Sequence, residues 1–153
     1  MGQQQLILLV LATVIVGIAI VVGIRAFSEN SIKANSDALV QDMVRMANDA
    51  QAWKQKPAPF GGQTDDAALA DKNAASDFRT AAFTNLGYAE DAAGNYTNLN
   101  GTYSVAGTAS ELTITGCNLL KHNRVVIEVV GITDQDIEQT SLLLGTDTAT
   151  TCP

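Results

Sequence analysis

The sequence predicts an α+β fold: one long N-terminal α-helix, apolar in its first half, packed by its second half on a small antiparallel β-sheet. Three observations predict it. Residues 6–24 carry no charge, and only Thr13 interrupts their apolar run. Past that run, apolar residues recur at helical spacing as far as Trp53, with no glycine between Gly23 and Gly61 and no proline before Pro57. Beyond Asn100 the apolar period changes to two, with Gly and Asn at the turns.

The first element is the apolar run. As a helix, residues 6–24 span about 28 Å, close to the hydrocarbon thickness of a bilayer. Val, Ile and Leu dominate the run. β-Branched residues weaken a helix in water, but in lipid a single span must satisfy its own backbone, and helix is the state that does so. A cleavable secretory signal does not fit: no Lys or Arg precedes the run, the run is too long, and no small-x-small site follows. A plain signal anchor is the alternative. Downstream, Arg25 and Lys33 are offset by Glu29. An N-terminus on the cytoplasmic side then requires a basic leader already removed, so the chain reads as a mature form.

The helix continues. Ile32, Leu39, Val40, Met43, Met46, Ala47, Ala50 and Trp53 form an apolar stripe, with Asp37, Asp42, Arg45, Asp49 and Lys54 on the other faces. One helix from near the N-terminus to about Lys54 is expected, roughly 75–80 Å long. Pro57 and Pro59 end it. A domain following in the chain can cover the stripe. The uniformly apolar half needs lipid or copies of itself, and Ala12, Gly17, Ala19 and Gly23 would let helices approach closely.

After Phe60-Gly61-Gly62 the chain is polar and rich in Ala and Asp. A short helix is expected over residues 67–82, capped by Asp65 or Asp66, with Leu69, Phe78, Ala81 and Ala82 as its apolar positions. Gly87, Gly94-Asn95 and Asn100-Gly101 signal turns. Strands are expected over 102–105, over 111–115 ending at Cys117, and over 124–132, where Val125, Ile127 and Val129 alternate with Val126, Glu128 and Val130. A short fourth strand is expected over 141–144. Close spacing favours an antiparallel meander. The chain thus divides into an apolar transmembrane or filament-core helix (1–27), its amphipathic continuation (28–56), a variable connecting region (57–100) and a sheet with a closed C-terminal loop (101–153).

Composition excludes several functions. The net charge of -7 and the absence of a Lys/Arg cluster argue against nucleic acid as a partner. The lone histidine, His122, lies in a Lys-His-Asn-Arg stretch that reads as a turn between strands, so a hydrolytic triad has no base. No enzyme activity, cofactor or metal is expected. Two acidic sets, Asp65, Asp66 and Asp71, or Asp134, Asp136 and Glu138, read as solvated loop, with calcium binding as the alternative; the second has the alternate-residue spacing of oxygen ligands but lacks the full twelve-residue loop with its glycine and terminal Glu. Asn95-Tyr96-Thr97 and Asn100-Gly101-Thr102 are glycosylation acceptor sequons in an expected exposed loop. Cys117 and Cys152, outside any Cys-x-x-Cys spacing, read as one disulfide of an exported chain, the alternative being two free thiols. A loop of that length stabilises by roughly 3–4 kcal/mol in the chain-entropy model.

This order of parts resembles a type IV pilin: a long N-terminal helix, a variable connecting loop, an antiparallel sheet and a C-terminal loop closed by a disulfide. Met1-Gly2-Gln3-Gln4-Gln5-Leu6 before the apolar run is similar to a mature pilin N-terminus in register. The resemblance covers the whole chain in layout but only this segment in sequence. It implies a structural subunit of an extracellular filament serving adhesion, surface attachment or motility. Leu6, Leu9, Thr13, Val16, Gly17, Ile20, Gly23 and Ile24 would form the filament core, and Met1 and Gln5 the contact between neighbouring subunits' N-termini. The implied partners are identical subunits in a helical homopolymer, the inner membrane before assembly, a prepilin peptidase and the pilus assembly machinery. Two features depart from the family. Gln5 stands where pilins typically carry a glutamate, and it cannot form an ion pair with an N-terminal amine. No proline interrupts the helix near Val22. A minor pseudopilin or membrane-tethered binding module of a secretion or DNA-uptake system is the alternative reading.

Overall fold

The computed structural model describes residues 2–62 and 77–145. Its element order is one long helix, a short helix and five strands: α1 (Gly2–Gln55), α2 (Phe83–Leu86), β1 (Tyr96–Thr97), β2 (Thr102–Gly107), β3 (Leu112–Asn118), β4 (Asn123–Val129) and β5 (Ile137–Leu143). The sheet is an antiparallel meander in the order β1-β2-β3-β4-β5. The class is therefore α+β.

α1 runs 54 residues without a break, which is about 81 Å. Gly17 and Gly23 do not interrupt it. Only its second half is covered. Leu39, Met43, Met46, Ala47, Ala50 and Trp53 are each at most 2% exposed, so the expected stripe becomes one wall of the core. Ile32 and Val40, at its margin, are half-buried. The other wall is the inner face of the sheet: Tyr103, Leu112, Ile114, Val125, Ile127 and Val129 are all buried. The period-two pattern of β4 is borne out, with Val125, Ile127 and Val129 inward and Val126 and Glu128 less covered.

Gly116 controls how closely the two walls approach. It lies on the inner face of β3, between Tyr103 of β2 and Val125 of β4. A Cβ there would sit 2.6 Å from Met43 Sδ and 3.0 Å from carbons of the Tyr103 ring.

Several local expectations need correction. The expected helix over 67–82 is not present in its described part, 77–82. Asp77 instead accepts hydrogen bonds from the backbone N–H and guanidinium of Arg79. Phe78, fully buried, donates its N–H to the Thr108 carbonyl. These bonds hold a turn against the end of β2. The helix that does form, α2, is a single turn, closed by Gly87 at φ 86°. β1 lies within the stretch expected to be loop. β4 ends at Val129, three residues early, and β5 starts at Ile137, four residues early. β5 holds register across an extra residue, Thr140, between Ser141 opposite Val126 and Gln139 opposite Ile127. Leu69, Asp65, Asp66, Asp71 and Cys152 lie outside the described residues.

The close approach at Gly116 makes a prediction. Gly116→Ala should lower stability by about 1–3 kcal/mol through overpacking. Urea unfolding of the detergent-solubilised chain, followed by the emission of its single tryptophan, Trp53, measures this. An unchanged midpoint would mean that helix and sheet have slack at this point.

Candidate functional site

The candidate site is the uncovered half of α1 together with the junction that fixes it to the domain. Every described residue from 2 to 30 is exposed. Leu6, Leu9, Val16, Ile20 and Ile24 are 57–66% exposed. At 100° per residue these positions, with Thr13, Gly17 and Gly23, share one face of the helix. The structure does not single out that face. Ile7, Leu8, Leu11, Ile15, Ile18 and Val22 are exposed to the same degree on the others. The surface is apolar around its whole circumference, as the uniformly apolar run in the sequence leads one to expect, and the filament-core set is one part of it.

Its polar content is already satisfied. The Thr13 hydroxyl donates to the Val10 carbonyl at 2.8 Å, so the side chain enters an apolar environment without an orphaned donor. Gly17 and Gly23 have open space where a Cβ would point, with no atom within 4 Å. The packing of this chain therefore gives no reason for a small residue at either position. Gln5 lies exposed in the first turns of α1, and Met1 is outside the described residues. The segment is long and apolar enough to cross a membrane.

The junction is polar. At its start, Lys121 Nζ donates to Ser31 Oγ at 2.8 Å. The buried amide of Asn123 donates to the Ile32 carbonyl and to Asn35 Oδ1. Asn35 in turn donates to the Asn100 carbonyl at 2.9 Å. Two turns on, one oxygen of Asp42 accepts three donors: Asn100 Nδ2 at 2.7 Å, Tyr103 Oη at 2.7 Å and Asn98 Nδ2 at 2.9 Å. Further along, Tyr88 donates to Asp49 at 2.5 Å. Gln51 donates to the carbonyls of Gly131 and Thr133, and Lys54 to that of Asp77. Asp42, Asp49 and Lys54 are thus half-buried and bonded into the domain, a correction to their expected place on the outward faces. Asn35, Asp42 and Asp49 recur every seven residues, and that heptad of short polar side chains was the available signal.

Burial and hydrogen bonding oppose each other at these groups. Desolvation pushes the Asp42 carboxyl up, but donors from Asn100, Asn98 and Tyr103 and the charge of Arg45 outweigh it and hold the group below the ordinary carboxylate range. Desolvation and Asp42 together raise the Tyr103 phenol. Desolvation and the bonded Asp49 push Tyr88 up to about 12. Tyr88, Tyr96 and Tyr103 form a contiguous ring cluster with Phe83, at centroid spacings of 5.0–6.0 Å.

The remaining sequence candidates are placed apart. His122 is exposed in the β3–β4 turn at φ 52°. Asp136 caps the turn before β5 by accepting from the N–H and hydroxyl of Thr133. Among the described residues no cluster of His, Cys, Asp and Glu could hold a metal ion. The Asn100 amide is spent on Asp42, whereas Asn95 lies half-exposed in its loop. Cys117, near the end of β3, is disulfide-bonded and buried; its expected partner, Cys152, lies outside the described residues. No protein-family model, curated protein or solved structure matches this chain.

Two pH predictions follow from the junction. The Asp42 carboxyl has a folded pKa below its unfolded value of about 3.9. Its contribution is therefore complete above that value and is lost as pH falls through the folded pKa. Asp42→Asn should cost about 1.5–3 kcal/mol at neutral pH. The difference from wild type should shrink below about pH 3.5. Urea midpoints across that range decide it, and a gap independent of pH would refute the role of the charge. Tyr88 is the opposite case. Its pKa is raised to about 12, so its contribution is complete below about pH 10 and is lost as pH rises through the folded value. Tyr88→Phe should remove that part of the alkaline loss, read from the same midpoints between pH 9 and 12.

Proposed function

We propose that this protein is the structural subunit of an extracellular filament of the type IV pilin kind. It is held in a membrane by residues 6–24 before assembly and then drawn out so that these helices pack on one another. One observation carries the reading. A single unbroken helix joins a folded domain to some 28 Å of bare apolar surface, and among the described residues nothing in the chain covers that surface. The domain has its core without it, so the segment is free for contacts outside the subunit. Burying it among copies would remove roughly 1,500–2,000 Å² per helix, tens of kcal/mol relative to water as an upper bound at about 25 cal/mol per Å². The open flanks of Gly17 and Gly23 and the back-bonded Thr13 support helix-on-helix packing. The resemblance in layout to type IV pilins supports the filament form of that packing.

Val16→Asp tests this. A lone carboxylate inside a bundle of apolar helices is very costly. The variant should abolish filaments seen by negative-stain microscopy of the cell surface while leaving the domain folded, as judged by unchanged Trp53 emission in detergent. Normal filaments from the variant, or wild-type protein found only as dispersed membrane monomers, would replace the filament by a membrane-tethered module.

A further inference from the structure

The two acceptor sequons are treated by the fold in opposite ways. In Asn100-Gly101-Thr102 the asparagine is fully engaged. Its amide nitrogen donates to Asp42 Oδ2 at 2.7 Å, its backbone N–H donates to Asn98 Oδ1, and its carbonyl accepts from Asn35 and Asn118. The same Asp42 oxygen takes Asn98 and Tyr103. A sugar on the Asn100 nitrogen would have to displace one of the bonds that hold the β1–β2 loop to α1.

In Asn95-Tyr96-Thr97 the acceptor is free of such duties. Asp91 builds the turn that carries it. The Asp91 carboxylate accepts the N–H of Ala93 at 2.8 Å and of Asn95 at 2.9 Å, and the Asp91 N–H donates to the Asn95 carbonyl at 2.8 Å. The Asn95 side chain takes no part in these bonds. Residues 89–94 and Thr97 are exposed, and Asn95 itself is half-exposed.

The strand that follows turns the sequon outward. The Tyr96 ring stacks on Tyr103 at 5.9 Å and lies 5.0 Å from Tyr88, against the core. Neighbouring side chains in extended backbone alternate between faces, so Asn95 and Thr97 share the solvent side. Transfer of a glycan to asparagine needs that pairing: an amide nitrogen open to reaction and a hydroxyl two residues on for the transferase to read. Thr97 Oγ1 meets the Thr102 hydroxyl at 3.2 Å, a neutral surface contact that is replaced at little cost. β1 is also an edge strand, at one end of the sheet order.

We propose that Asn95 carries an N-linked glycan in the exported protein and that Asn100 does not. The donor is a sugar chain joined through a diphosphate to a membrane lipid. The Asn95 amide nitrogen attacks the anomeric carbon, and the new N–C bond forms as the bond from that carbon to the diphosphate oxygen breaks. The lipid diphosphate leaves with the electron pair, and the nitrogen gives one proton to a base of the transferase. Asn100, its nitrogen held by Asp42, is passed over. Glycosylation here rests on the reading that residues 6–24 cross a membrane and the domain lies outside the cytoplasm.

The test uses the full chain from the cells that make it. Cells stripped of their outer layers are first treated with a membrane-impermeant amine reagent, and labelling of the exposed Lys56 reports export. The tryptic peptide 80–121 holds both asparagines, and electron-transfer fragmentation locates any sugar on it. Labelled copies should carry sugar on Asn95 and none on Asn100. Asn95→Gln and Thr97→Ala should each abolish it, Thr97→Ser should keep it, and Thr102→Ala should leave it unchanged. Unchanged Trp53 emission in detergent shows that each variant is folded. Labelled copies with Asn95 bare, or with sugar on Asn100, would overturn the proposal and leave export standing, as would sugar that persists in Thr97→Ala. Unlabelled copies with Asn95 bare would overturn export and glycan together.

Discussion

The rest of the structure depends on the continuity of α1. Its 54 residues cross from a segment that has no polar surface to one that shares a core with a sheet. A helix rigid over about 80 Å transmits position. Wherever the apolar half is placed, the domain follows at a set height and rotation. A hinge between the halves would have let each find its own solvent independently. Without one, the domain must be built to suit the surroundings of the bare half.

That requirement explains the division of labour along the second half of the helix. The apolar stripe supplies burial, with Leu39, Met43 and Met46 closed off by the sheet. Burial alone permits sliding and rotation, because apolar contacts are non-directional. The polar seam beside it prevents both. Asn35 and Asp42 both hold the β1–β2 loop, Asp42 also takes Tyr103 of β2, and Asp49 takes Tyr88 just after α2, and each bond has one geometry that satisfies it. A carboxylate with three donors on one oxygen is a costly group to move, since sliding would leave a part-buried charge with fewer partners. The seven-residue strands β3 and β4 span about 23 Å, matching the roughly 24 Å of helix from Asn35 to Gln51, so the staples sit at both ends of the contact.

Much of this was legible in the sequence where a periodic pattern ran long enough. The α+β class, the continuous helix and the stripe from Leu39 to Trp53 all follow from apolar spacing uninterrupted by Gly or Pro. The alternation at Val125, Ile127 and Val129 was equally plain, because one face of β4 is fully covered. Short or edge elements were not legible. β1 is two residues long and bears no alternation. The start of β5 is masked by its polar run Glu138-Gln139-Thr140, which an edge strand tolerates because solvent wets it. Residues 77–82 read as helical from composition, but Phe78 is claimed by the end of β2 and Asp77 by Arg79, contacts that no local pattern encodes.

What the sequence determined by itself is the conflict of solvents: an apolar half that no segment of this chain was patterned to cover, joined without a break to a half that was. That follows from local composition and helical period, which act over a few residues and need no partner. What only the tertiary structure decided is which polar residues face inward. Asp42 and Asp49 are charged residues on a helix, and their expected place is in water. They face inward because the chain returns Asn98, Asn100, Tyr88 and Tyr103 to meet them from 39 to 61 residues away. The reason is physical: desolvating a carboxylate is unfavourable unless donors are waiting, and donors that distant in sequence are assembled only by the fold.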